Sequence, residues 1–313
     1  MHRIATHPSH PSPCPPARSL RPKKMSSKTT LVMWAAFTLH TAILTHHILT
    51  ATSLSGNDLL GGLNLLACTL FAFLHHTQQT TSLGIPILLF TMQAIAWAAT
   101  THADVVLKKG WFFGVHEFGH KLASQAVLGV PVAVVVGVYP MMYVSIATTN
   151  VLFRKPVKVT TAKGITRAVA AAAIDTMLFT GYDLCIDPLG PHEGLWKWDK
   201  TAFAHGVYFG VPIKNYHGWL VVNFPTFFVL RLLASQKRTG RSSDSWKVDA
   251  APVVSYALNA LWIARIAPFD GLGLVTAWVM GLPVLLAFAS LAAGDDEGAD
   301  GAAEKHALGK KYR

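Results

Sequence analysis

The stretch GITRAVAAAAIDTMLFTGYDLCI, Gly164 to Ile186, decides the fold. It is apolar for most of its length and long enough to cross a hydrocarbon core, which takes about 20 residues as a helix. It also carries Asp175 and Asp183, and Asp187 follows one residue beyond its end. Asp183 and Asp187 are four apart and share a face if the helix persists that far. Asp175 lies eight before Asp183, close to the same face.

Working outward, similar apolar blocks recur at 31–52, 59–75, 83–106, 129–153, 217–234, 251–267 and 272–292. With 164–186 they predict an all-α, polytopic integral membrane protein of about eight transmembrane helices, since lipid cannot satisfy an open backbone. The blocks at 59–75 and 251–267 are short for a span. Residues 1–30 form a basic, Pro-rich leader, read as a disordered tail with a transit peptide as the alternative. Residues 31–293 form the membrane domain, and 294–313 a charged, solvated tail.

Composition supports this. Of 313 residues 51% are apolar and 14% charged, and only 16 are Asp or Glu. Five of those (Asp295, Asp296, Glu297, Asp300, Glu304) fall in the tail, which leaves 11, too few for the surface of a soluble protein of this size. Cys14, Cys68 and Cys185 are too few and too scattered for a disulfide scaffold or a multi-Cys zinc module.

The net charge of +11 raises nucleic-acid binding. The cations cluster in the leader, in 154–167 and in 231–247, which eight spans place on one side. The positive-inside rule makes that side cytoplasmic, with both termini there. The excess therefore marks topology, and a nucleic-acid partner is not expected. The same count gathers 108–128, 187–216 and 268–271 on the opposite face.

Acids at membrane depth are costly and usually functional. A carboxyl in an apolar site can hold a proton near neutral pH and deliver it. Against this, Asp175, Asp183 and Asp187 could be helix caps or ion-pair partners of Arg167, Lys197 or Arg265. The segment 187–219 is rich in Gly, Pro and aromatic residues. It reads as an interfacial aromatic belt or as the wall of a pocket for an apolar or cationic partner. His46-His47 and His75-His76 fit helix ends at the interface, with haem ligation as the alternative.

The pieces D-L-C-I-D-P (Asp183 to Pro188), G-L-W-K-W (Gly194 to Trp198) and Y-F-G-V-P-I-K-N-Y-H-G-W (Tyr208 to Trp219) resemble the membrane-bound carotenoid biosynthesis protein family. Asp104, Gly110, Phe113-Gly114 and Gly129-Val130-Pro131 extend the likeness upstream. Asp104 stands where Glu is expected, and His116 and Phe118 where the family usually has Tyr. The described members include carotenoid hydratases, bisanhydrobacterioruberin hydratase and gamma-carotene hydratase among them. The resemblance implies addition of water to a terminal C=C bond of a lipophilic isoprenoid, without a cofactor. The expected catalytic residues are Asp183 and Asp187, dividing the acid and water-orienting roles, with Asp175 or Asp104 in support. Trp196, Trp198, Tyr208, Asn215 and Trp219 are the expected substrate-binding residues. A terpene cyclase, in which a second double bond captures the cation, is the alternative.

A different class competes through H-E-F-G-H, His116 to His120. On a helix, histidines at i and i+4 can bind one zinc beside a Glu base. The pattern also resembles that of site-2-type intramembrane proteases. There His116, His120 and Asp270 would be the ligands and Glu117 the base.

Overall fold

A computed structural model describes residues 26–50, 58–80, 82–153, 161–233 and 245–293. Apart from residues 26–30 the leader lies outside them, as does the tail.

Eight long helices are present among the described residues: α1 Ser27–Thr50, α2 Asp58–Thr80, α3 Gly84–Val105, α5 Val132–Phe153, α6 Ala162–Ile186, α8 Ile213–Leu233, α9 Ser245–Ile266 and α10, which opens as Leu272–Thr276. A π-helical turn, Ala277–Gly281, interrupts α10 before it runs on to Ala293. Two single turns, α4 His120–Ala123 and α7 Leu189–His192, lie between long helices.

The chain is an all-α polytopic membrane protein, with six helices long and apolar enough to cross a bilayer: α1, α2, α3, α5, α6 and α10. The helices α8 and α9 match the other two expected blocks in position. Polar residues dilute them, Asn215, Asn223 and Arg231 on α8 and Ser255 and Asn259 on α9, and all of these are turned inward. The block expected at 59–75 is longer than its apolar run, because His75 and His76 are buried and carry α2 on to Thr80. They are therefore interior residues and not helix ends. His75 bonds Tyr143 through Nδ1 and the Val248 carbonyl through Nε2 at 2.8 Å, so neither ring nitrogen is left for haem.

The helices pack with α6 against α8, α1 against α2, and α5 against α2, α6 and α9. Their outer faces are apolar. Met177 is 67% exposed on α6, two residues from Asp175 at 0%. Such a girdle suits lipid, and polar side chains then serve to hold helices together inside.

At one end three loops form a cap, as the topology expected. The strand β1 His116–Phe118 pairs antiparallel with β4 Trp196–Trp198, setting His116 opposite Trp198. Two hairpins, β2 Ala126–Val127 with β3 Val130–Pro131 and β5 Val207–Tyr208 with β6 Val211–Pro212, each lead into a long helix. Phe269, from the loop before α10, packs on Phe209 and His192 at 5.6 and 5.8 Å between ring centroids.

Candidate active site

The site begins with Asp104 in the last turn of α3. Its carboxylate accepts three backbone N–H groups, from Trp111 at 2.6 Å, Phe112 at 3.0 Å and Phe113 at 2.6 Å. One buried side chain thus folds the loop that follows. Phe113 then lands on Trp219 at 4.9 Å. Gly218 permits this, because a Cβ there would sit 2.6 Å from the Phe112 carbonyl oxygen. Gly114, at φ +90°, completes the turn where a Cβ would lie 2.8 Å from that of Ala202.

The loop closes a cavity of about 330 Å³ between the cap and the helices. Trp97, Phe113, Phe179 and Trp219 form one aromatic wall, with Trp219 stacked on Trp97 at 6.2 Å between centroids and tilted against Phe179 at 5.3 Å. Trp196, Trp198, Phe118 and His116 line the cap side. Trp198 is fixed there by its indole N–H, which donates to the Phe113 carbonyl at 3.3 Å.

Asp183 and Asp187 border the cavity at the end of α6. Both are buried, four residues apart on one turn at the end of α6. Asn215, in the first turn of α8, donates its side-chain amide to Asp187 and, at 3.4 Å, to Asp183. Among the described residues no cation pairs with either acid. Two carboxyl groups buried so close together cannot both carry charge at low cost, and one proton between them would make one a donor and the other an acceptor.

The structure separates the other expected residues from this pair. Asp175 does not reach the cavity. It forms a buried ion pair with Arg231, whose Nη2 and Nε lie 2.6 and 2.7 Å from its two oxygens. The sequence suggested Arg167, Lys197 or Arg265 as partners, and the actual one sits 56 residues away on α8. Asp104 is spent on the loop. Tyr208 is also outside the cavity, packed on Phe209 and Tyr216 at 4.7 and 5.5 Å. Trp196, Trp198, Asn215 and Trp219 do line it.

The zinc geometry is not formed. His116, Glu117 and Phe118 are extended because they pair with Trp196–Trp198, and α4 starts only at His120. His116 and His120 therefore share no helix face. His116 is buried, while Glu117, His120 and Asp270 are exposed. Among the described residues no group of three or more His, Cys, Asp or Glu could hold a metal.

Two features of the cavity were not expected as such. His116, which stands with Phe118 where the family usually has Tyr and which the zinc motif made a ligand, borders the cavity. A second polar group borders the cavity from α1, α2 and α9: His40 bonds Asn64 at 2.7 Å and Ser255 at 2.8 Å, beside Asn259.

An apolar cavity with a paired carboxyl group, inside a bundle of membrane helices, defines the class of protein. The chain belongs to the carotenoid biosynthesis protein family, whose model matches residues 60–288. That range runs from α2 into α10 and includes the whole cap and every residue of the cavity except those on α1. No curated protein and no solved structure matches the chain.

Proposed function

We propose that the protein adds water to a terminal C=C bond of a carotenoid or related isoprenoid. The observation that carries this is the Asp183–Asp187 pair, bridged by Asn215 and facing an aromatic cavity. The cavity volume falls at the lower end of the usual ligand range of about 300–1,000 Å³ and suits one end of a long chain. The pair gives its proton to the less substituted alkene carbon, leaving a tertiary cation on its neighbour. Trp97, Phe113, Phe179 and Trp219 stabilise that cation through their ring faces. Water then bonds to it, oriented by the carboxylate that gave up the proton. The membrane supplies the lipophilic substrate. Positive-inside topology puts Lys163, Arg167 and Lys247, at the helix ends opposite the cap, on the cytoplasmic side together with both termini.

Expression in a host that makes linear carotenoids, followed by mass spectrometry, tests the reading. A product heavier by one water supports it. An isomer of unchanged mass supports the terpene cyclase, for which the aromatic wall is equally suited. No change in any prenyl compound removes both.

A further inference from the structure

Resting on that hydration reading, we infer that His116 is a third catalytic residue, the base that takes the proton released when water adds to the cation. The ring borders the same cavity as Asp183, Asp187 and Asn215. Its Nδ1 lies 2.8 Å from the Gly114 carbonyl oxygen. A carbonyl only accepts, so Nδ1 carries the ring proton and Nε2 carries the lone pair. No described side chain or backbone group bonds Nε2. The ring cannot easily turn away. It lies 5.3 Å from Phe118, edge-on, and 6.1 Å from Trp198, and its strand is tied to β4. The loop before it is held by the three N–H groups on Asp104.

An aromatic cavity otherwise offers the added water few places to leave its proton. The carboxyl pair is one, but it is already engaged in giving its proton to the alkene and in orienting the water. A separate acceptor commits the water. The steps balance. The pair's O–H breaks as the new C–H forms, and the water oxygen bonds to the cation. One O–H of that water then breaks as Nε2 takes its proton, leaving a neutral tertiary alcohol and an imidazolium. The imidazolium returns its proton through water to the carboxylate, so alkene plus water gives alcohol.

Burial pushes the His116 imidazole below its ordinary value, partly offset by the Gly114 carbonyl and Asp104 and reinforced by Lys108. The ring is thus neutral near pH 7, as a base must be. Other charged groups on elements around it are Glu117 on its own strand, Lys197 and Asp199 on and beside β4, and Asp183 and Asp187 at the cavity.

The test uses the full-length protein in membranes, with a linear polyene, comparing wild type with His116→Gln and His116→Asn. Polyene binding by tryptophan quenching and thermal stability report folding. We expect kcat for hydration to fall at least about 100-fold with KM nearly unchanged. The decline of wild-type activity at acid pH, where the imidazole protonates, should vanish from the residual rate. Added imidazole should restore part of the activity of His116→Ala. A variant that binds polyene and hydrates it at the wild-type rate, or keeps the acid limb, overturns the assignment and leaves the hydratase reading standing. A wild type that adds no water overturns both.

Discussion

Arg231 grips both oxygens of Asp175 between α8 and α6, with neither side chain reaching solvent. Arg231 also donates to Asn150 on α5, so three helices meet at one guanidinium. Removing one partner leaves an unpaired buried charge, which costs about 3–5 kcal/mol. Asp175→Asn and Arg231→Met should each lower the melting temperature in detergent sharply. The double variant Asp175→Leu with Arg231→Met should recover much of the loss. If the singles melt like wild type, the pair is not a structural clamp.

Asp183→Asn and Asp187→Asn should each cut product formation by at least about 100-fold, because neither amide can supply or hold the shared proton. Both variants should still insert and melt near wild type, since Asn fills the same volume. Asn215→Leu should reduce activity as well, by leaving both carboxyl groups without their common donor. Full activity in both aspartate variants would show that the chemistry lies elsewhere.

Asp104→Ala removes the acceptor of three backbone N–H groups at once. Each buried donor left unpaired costs about 1–3 kcal/mol. The loop 107–115 should loosen. Hydrogen exchange should rise at Trp111, Phe112 and Phe113 and spread to β1. Unchanged protection there would refute this role.

Gly218→Ala should act at a distance from the acids. The new Cβ would press on the Phe112 carbonyl and the Phe113 ring, which must lift off α8. Weaker polyene binding, with Asp183 and Asp187 untouched, is the expected readout.

Stability should also depend on pH through His116. Its folded value lies below the ordinary 6.5, so the unfolded chain binds more protons once pH drops under that figure. Stability is complete above about pH 6.5 and declines below it. His116→Gln should flatten that part of the melting-temperature profile, and an identical profile would contradict the burial effect.

Much of this architecture is legible in the sequence, because a membrane helix declares itself through composition alone. The blocks at 164–186 and 129–153 needed no knowledge of their neighbours. The face shared by Asp183 and Asp187 followed from helix spacing, and α6 does hold its form up to Asp187. Roles set by distant partners were hidden. Nothing near Asp175 announces Arg231, and nothing in H-E-F-G-H announces a strand partner some 80 residues on. Helical spacing then suggested a metal site where sheet pairing built a cavity wall. His75 and His76 carry α2 past its apolar run for a related reason: their partners, not their composition, put them inside.

The cap is joined largely through its main chain. Gly119 donates its N–H to the Leu195 carbonyl at 2.8 Å, Asp199 to that of Val115 at 2.8 Å, and β1 to β4 between them. Stitching of that kind is indifferent to side-chain identity. The rim positions Phe118 and Trp196 can be exchanged without unpicking the seam, while the proton-handling groups, Asp183 and Asp187 on α6 and His116 on β1, stay in place. Selectivity and chemistry are thereby uncoupled, and redesign for a different chain end should start at the rim and leave the helices alone.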